Sequence, residues 1–166
     1  MRHLIKGAIV AAVFILQNAL TSHIEILGIA PSLMIVLATI YALDAASAEE
    51  GICYCAIMGG IMDIMWGRVF GLWTIIFVYA GVGIYFAGEY FYKHTTVKAV
   101  LLTFAATVLM EAVFFLANFT LFGDKSFLYM LFRTIIPEGA YNAILQAVLY
   151  GFIIKIIPER KRGEAA

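Results

Sequence analysis

Long apolar stretches follow one another along almost the whole of this chain, separated by short polar or glycine-containing turns. A helix that crosses the hydrocarbon core of a bilayer needs about 20 mostly apolar residues, and about six such stretches are present. The last one is preceded by aromatic residues from Phe127 to Phe132, which are expected to lie along the membrane interface. The pattern predicts helices over residues 6–20, 30–43, 51–65, 72–91, 97–119 and 137–157.

Composition agrees with a membrane protein and excludes some other classes. Hydrophobic residues make up 64% of the chain and charged residues 13%, against roughly 25% charged in soluble domains. The formal net charge is +0, so no basic surface for nucleic acid is expected. The chain is therefore predicted to be an all-α integral membrane protein, a six-transmembrane-helix bundle that forms a single polytopic domain over residues 1–166.

The distribution of basic residues predicts the orientation of the bundle. Loops that remain in the cytoplasm carry an excess of Lys and Arg. With six spans, eight basic residues collect on one side and three on the other, which favours cytoplasmic termini. The larger group is Arg2, Lys6, Lys93, Lys98, Lys155, Arg160, Lys161 and Arg162, and the smaller group is Arg68, Lys125 and Arg133.

Small side chains recur at intervals of four along the predicted third helix. Such spacing makes a narrow stripe that lets another backbone approach closely, and Asp63 is expected to be set into that contact. Cys53 and Cys55 are two residues apart and point to nearly opposite sides, so buried apolar thiols are expected and neither a disulfide nor a metal site. The stripe consists of Gly51, Cys55, Gly59, Asp63, Gly67 and Gly71.

Polar residues on the fifth and sixth predicted helices share one face on each helix, and should point inward or toward a protein partner. At 1.5 Å per residue, Asp63 lies about 18 Å and Glu111 about 21 Å along their helices, which puts both in the outer half of the bundle. Charge pairing there would offset the cost of burial. The expected network is either purely structural or also receives a partner or ligand. Besides Asp63 its members are Arg68, Glu111, Arg133, Glu138 and Asn142.

Residue patterns that support catalysis are missing from the sequence. The three histidines lie at predicted helix ends, and no His pair has metal-ligand spacing. No glycine-rich phosphate loop and no Ser–His arrangement at membrane depth is present. Asp63 and Glu111 could form an acid pair, but no nucleophile accompanies them. We therefore expect no enzyme activity, no catalytic residue, no cofactor and no bound metal.

The third helix also carries a family resemblance. The run Gly60-Ile61-Met62-Asp63, followed by Gly67 and Gly71, resembles the Gly-x-x-Asp-x-x-x-Gly-x-x-x-Gly pattern around the third span of the rod shape-determining protein MreD family. The resemblance covers nearly the full length of the chain. Weaker matches are Pro31 at the start of helix two, Glu111 before an aromatic run ending in Phe122-Gly123, and Asn142 in helix six.

The resemblance implies a scaffold role in the inner (plasma) membrane of bacteria. Members of the family work in the cell-elongation complex with MreC, a protein with a single membrane span, and near MreB, RodA and a penicillin-binding transpeptidase. It also implies a bundle similar to the substrate-binding subunits of energy-coupling-factor transporters. On this basis the expected MreC-binding surface consists of Gly59, Gly60, Asp63, Gly67 and Gly71.

A transporter subunit that binds a vitamin is the competing hypothesis. Ala8 and Ala12 are similar to an Ala-x-x-x-Ala surface in such subunits, although this spacing is common in membrane helices. A binding cavity requires polar and aromatic groups that converge at one depth. A central cavity near Trp73, Tyr79 and Glu111 would favour this hypothesis.

Overall fold

The computed structural model describes residues 2–21, 29–67, 69–90, 96–122 and 127–156, which form helices joined by short connections and contain no β-strand. The all-helical architecture agrees with the predicted fold class. The helices are α1 (Arg2–Thr21), α2 (Leu33–Asp44), α3 (Ala48–Trp66), α4 (Leu72–Tyr90), α5 (Thr96–Phe122), α6 (Phe127–Met130), a π-helical turn (Leu131–Ile135) and α7 (Ile136–Ile156).

Helix α2 occupies the centre of the bundle. It packs against α1, α3, α4, α5 and α7, and every residue from Leu33 to Leu43 is buried. A helix that is apolar all round belongs inside a bundle or a membrane. Its 12 residues extend about 18 Å, less than the ~30 Å of a bilayer core. The helix begins three residues later than the predicted start at residue 30, after Pro31 and Ser32, and ends at Asp44 instead of Leu43.

One described helix is long and apolar enough to cross a membrane by itself. This is the segment Thr96–Phe119 of α5, with 24 residues and a mean hydropathy of 2.2. The apolar stretches His3–Ala19, Leu33–Asp44 and Leu72–Gly88 are shorter. The number of membrane spans therefore stays a prediction.

Glycines bring α3 and α4 into close contact. A Cβ atom added at Gly59 would lie 2.7 Å from the Thr74 Cα atom, and one added at Gly81 would lie 2.7 Å from the Cys55 Sγ atom. Only glycine fits at such distances, as the small-residue stripe predicted. The two helices are joined by a turn in which Gly71 has a φ angle of +94°, a conformation that other residues rarely adopt.

Helix α3 begins three residues before the predicted start at Gly51. The Ser47 hydroxyl accepts a hydrogen bond from the Glu50 N–H at 3.3 Å, and the Glu50 carboxylate accepts one from the Ala46 N–H at 3.0 Å. Such reciprocal capping satisfies backbone donors that have no partner in the helix. The sequence Ser-Ala-Glu-Glu carried this signal, which the hydrophobic pattern alone does not show.

The two cysteines differ in burial. Cys55 is buried and faces α2 and α4, whereas Cys53 is exposed on the outer side of α3. The expectation that both are buried was wrong for Cys53. Two residues along an α-helix correspond to a rotation of about 200°, so only one of the two can face the interior.

Candidate functional site

Asp63 binds the first turn of α4 from the end of α3. Its side chain is 3% exposed. One carboxylate oxygen accepts a hydrogen bond from the Trp73 N–H at 2.9 Å, and the other accepts from the Thr74 N–H at 2.9 Å and the Thr74 hydroxyl at 2.6 Å. The first N–H groups of a helix have no intrahelical acceptor, and a negative charge there is favoured by the helix dipole. Asp63 thus caps α4 within the same chain.

Other residues of the third-helix motif build the same α3–α4 hairpin. Gly59 faces the α4 backbone one turn before Asp63. The Gly67 N–H ends α3 by donating to the Asp63 carbonyl at 3.1 Å, and a Cβ atom at Gly67 would lie 2.5 Å from that oxygen. Gly60 differs, since an added Cβ atom would meet only the Thr74 hydroxyl at 3.8 Å. Gly59, Asp63 and Gly67 therefore pack inside the α3–α4 hairpin, whereas Gly60 has room for a side chain. Binding of a partner to this motif stays a proposal.

The start of α2 is capped by a side chain from α1. The Ser32 side chain makes no capping hydrogen bond. Instead, the Gln17 carbonyl oxygen accepts from the Leu33 N–H at 2.7 Å, and the Gln17 amide donates to the Pro31 carbonyl at 3.1 Å. Sequence analysis missed Gln17, although a glutamine within an apolar helix is a signal for such a role.

Asn142 of α7 completes the cap of α2. Its oxygen accepts from the Ser32 N–H at 2.9 Å, and its amide donates to the Thr107 hydroxyl of α5 at 3.3 Å. One turn along α7, Gln146 is also fully buried, but neither of its amide atoms has a hydrogen-bond partner. The polar faces predicted on these helices therefore do point inward, and one of them joins α2, α5 and α7.

The predicted charged network does not form as one unit in the part of the chain that the structure describes. Arg68 lies outside the described residues. Arg133 is exposed and its guanidinium lies 5.9 Å from the centre of the Tyr129 ring, without an ion pair to Glu111 or Glu138. The prediction rested on depth and on the proximity of Arg133 to Glu138 in the sequence, whereas Arg133 lies in a π-helical turn with more residues per turn and faces outward.

Lys6 forms a buried cluster that sequence analysis did not predict. The side chain is fully buried, and its ammonium group lies 3.0 Å from a Glu50 carboxylate oxygen and 3.4 Å from one of Asp44. It also lies 5.3 Å and 5.1 Å from the ring centres of Tyr41 and Tyr54. The distribution of basic residues indicates only an orientation role for Lys6. The sequence signal for this cluster is the pair of acidic residues on either side of the α2–α3 turn, Asp44 and Glu50.

Apolar grooves on the outside of the bundle lie between α1 and α3 and between α4 and α5. The α1–α3 groove has a volume of about 430 Å³, and the α4–α5 groove about 650 Å³. The first exists because α1 packs mainly on α2 and leaves a gap beside α3. Residues of the α1–α3 groove include Gly7, Val10, Ala11, Phe14, Ile57, Ile61, Ile64 and Met65, and those of the α4–α5 groove include Ile75, Tyr79, Gly83, Leu102, Leu109 and Val113.

Comparison with known proteins decides the family. The model of the family described as rod shape-determining protein MreD matches residues 1–159. The chain belongs to the MreD family. Comparisons with curated proteins and with solved structures found no match. The resemblance that the third-helix motif indicated is thereby confirmed, and membership implies a membrane protein with a role in rod shape determination.

The transporter hypothesis requires a central cavity near Trp73, Tyr79 and Glu111. The α4–α5 groove includes Tyr79, but neither Trp73 nor Glu111 lines it. Trp73 instead stacks on Phe114 with ring centres 4.1 Å apart. Among the described residues, no group of three or more His, Cys, Asp or Glu side chains could hold a metal ion. The polar groups in this member of the family mainly connect helices to each other.

Proposed function

We propose that this member of the MreD family is a non-enzymatic scaffold of the bacterial cell-elongation complex. It would cross the inner membrane several times, with both termini in the cytoplasm. By binding MreC near MreB, RodA and the penicillin-binding transpeptidase, it would support peptidoglycan synthesis and control of cell shape. The observation that carries this proposal is an internally bonded helix bundle with an open apolar groove between α1 and α3.

Internal bonding of the polar side chains supports a scaffold. Asp63, Gln17 and Asn142 each bind backbone N–H groups at the start of a neighbouring helix. Since such groups cost several kcal/mol when they are left unsatisfied in lipid, these contacts hold the helices in fixed positions. A bundle that is fixed in this way presents a constant shape to a second membrane protein.

The α1–α3 groove is the surface that we assign to the membrane helix of MreC. Ile57 and Ile64 project from α3 with exposed fractions of 49% and 72%, and Gly7 on the opposite wall has open space beside it. Small residues allow membrane helices to approach closely, and close packing is what drives their association. Gly60 adds an outer position on the same helix, while Gly59, Asp63, Gly67 and Gly71 hold α3 against α4.

Co-purification with MreC tests this assignment through a matched pair of variants. Gly7→Leu fills the α1–α3 groove, and Gly151→Leu adds the same side chain to α7. A Cβ atom at either position meets no atom within 4 Å, so neither change should disturb the bundle. We expect the Gly7→Leu variant to recover at least about ten-fold less MreC, which corresponds to a loss of ~1.4 kcal/mol, and Gly151→Leu to behave as wild type.

Equal recovery of MreC with both variants would reject the groove as the binding site. Recovery that falls only with Gly151→Leu would move the site to α7. If MreC is not recovered even with the wild-type chain in mild detergent and in native membranes, the scaffold proposal itself fails. Unfolding measurements on both variants show whether either substitution acts through the stability of the bundle.

A further inference from the structure

The segment that leads into α7 exposes a group of large apolar side chains beside one cation. Leu128, Tyr129 and Phe132 have exposed fractions of 64%, 54% and 68%, and Arg133 is exposed next to them. On the other side of the segment, Ile135 is 2% exposed, and the π-helical turn that contains it packs against α5. The outward face therefore combines aromatic rings with a guanidinium, which is the combination enriched where a membrane meets water.

The guanidinium of Arg133 has no acidic partner among the described residues, although Glu138 follows only five positions later. Its central carbon lies 5.9 Å from the centre of the Tyr129 ring, within the range of a cation–π contact. A ring satisfies one face of the guanidinium and leaves its N–H groups without acceptors. No described residue supplies those acceptors, so the N–H groups are open to a ligand.

We propose that Arg133 binds the phosphate group of an anionic membrane phospholipid. The planar guanidinium can donate two parallel hydrogen bonds to phosphate oxygens, while Leu128 and Phe132 contact the acyl chains and Tyr129 lies at headgroup level. This site is separate from the α1–α3 groove and does not depend on the scaffold proposal. It would fix the depth of α7 in the membrane.

Native mass spectrometry of the purified full chain in detergent tests the proposal. Phosphatidylglycerol is titrated in one series, and a diacylglycerol with the same acyl chains in another. We expect Arg133→Gln to weaken phosphatidylglycerol binding about five- to ten-fold, and Arg133→Lys to weaken it less, because an ammonium keeps the charge without the paired donors. Lys98→Gln is the control, since it removes one positive charge from the first turn of α5, outside the segment that carries Arg133.

Three results would overturn the phosphate site. The first is wild-type affinity for phosphatidylglycerol in the Arg133→Gln variant. The second is an equal loss in the Lys98→Gln variant, which would show a general effect of net charge. The third is diacylglycerol binding as tight as phosphatidylglycerol binding in the wild-type chain, which would assign the lipid contact to the acyl chains alone.

Discussion

Removal of the Asp63 carboxylate should destabilise the bundle more than removal of any exposed acid. Asp63 is buried and accepts three hydrogen bonds from the first turn of α4. In the Asp63→Ala variant, the N–H groups of Trp73 and Thr74 lose their acceptor in a place where water replaces it poorly. The perturbation is therefore the loss of a helix cap together with the burial of unsatisfied donors.

The size of the effect follows from the three contacts. An unsatisfied buried donor costs about 1–3 kcal/mol, and two backbone donors are affected. We expect Asp63→Ala to lower the free energy of unfolding by about 3 kcal/mol or more. Asp63→Asn retains one acceptor oxygen but loses the charge at the helix N-terminus, so a loss of about 1–2 kcal/mol is expected.

Unfolding of the full chain by sodium dodecyl sulfate in mild detergent provides the assay. Trp73 lies within the affected turn and stacks on Phe114, so its fluorescence should follow the separation of α4 from the bundle. Glu49→Gln is the control, because Glu49 is an exposed acid on the same helix as Asp63 and its loss should change stability by less than ~0.5 kcal/mol. If Asp63→Ala is as stable as this control, the capping argument is wrong.

Three further predictions concern packing and buried polar groups. Gly59→Ala should destabilise the bundle by about 1–3 kcal/mol because its added methyl group collides with α4, whereas Gly60→Ala should not; equal unfolding curves would contradict this. Lys6→Met should cost about 3 kcal/mol, since it removes a buried cation that contacts two carboxylates, and neutralising both carboxylates in the same variant should restore part of that loss. Asn142→Leu should lower the free energy of unfolding by about 1–3 kcal/mol, while Gln146→Leu should leave it unchanged or raise it, because only Asn142 has hydrogen-bond partners; the opposite order would refute the assignment.

Several structural features could be predicted from the sequence because they depend on local patterns. Apolar stretches located the helices, and four-residue spacing located the contact in which Gly59 meets another backbone. The same spacing placed Asn142 on an inward face. The predicted ends differ by a few residues where a cap or a proline determines them, as at Ser47 and Pro31.

Other features depend on which helices become neighbours, and this information is not local. The sequence predicts that Asp63 faces a partner, but the first turn of α4 in the same chain binds its carboxylate, because the short connection between the two helices places α4 beside α3. The Lys6 cluster joins residues about 40 positions apart. Arg133 was placed in the charged network because it lies near Glu138 in the sequence, and the π-helical turn that carries it has no signature in the hydrophobic period.

Site-specific photo-crosslinking in intact cells tests the scaffold account most directly. A photoreactive amino acid at Ile64, 72% exposed in the α1–α3 groove, is compared with one at Val148, 69% exposed on α7. The account predicts a crosslink to MreC from position 64 and none from position 148. A crosslink to MreC from position 148 alone, or none from position 64 when MreC is present at its normal level, would contradict it.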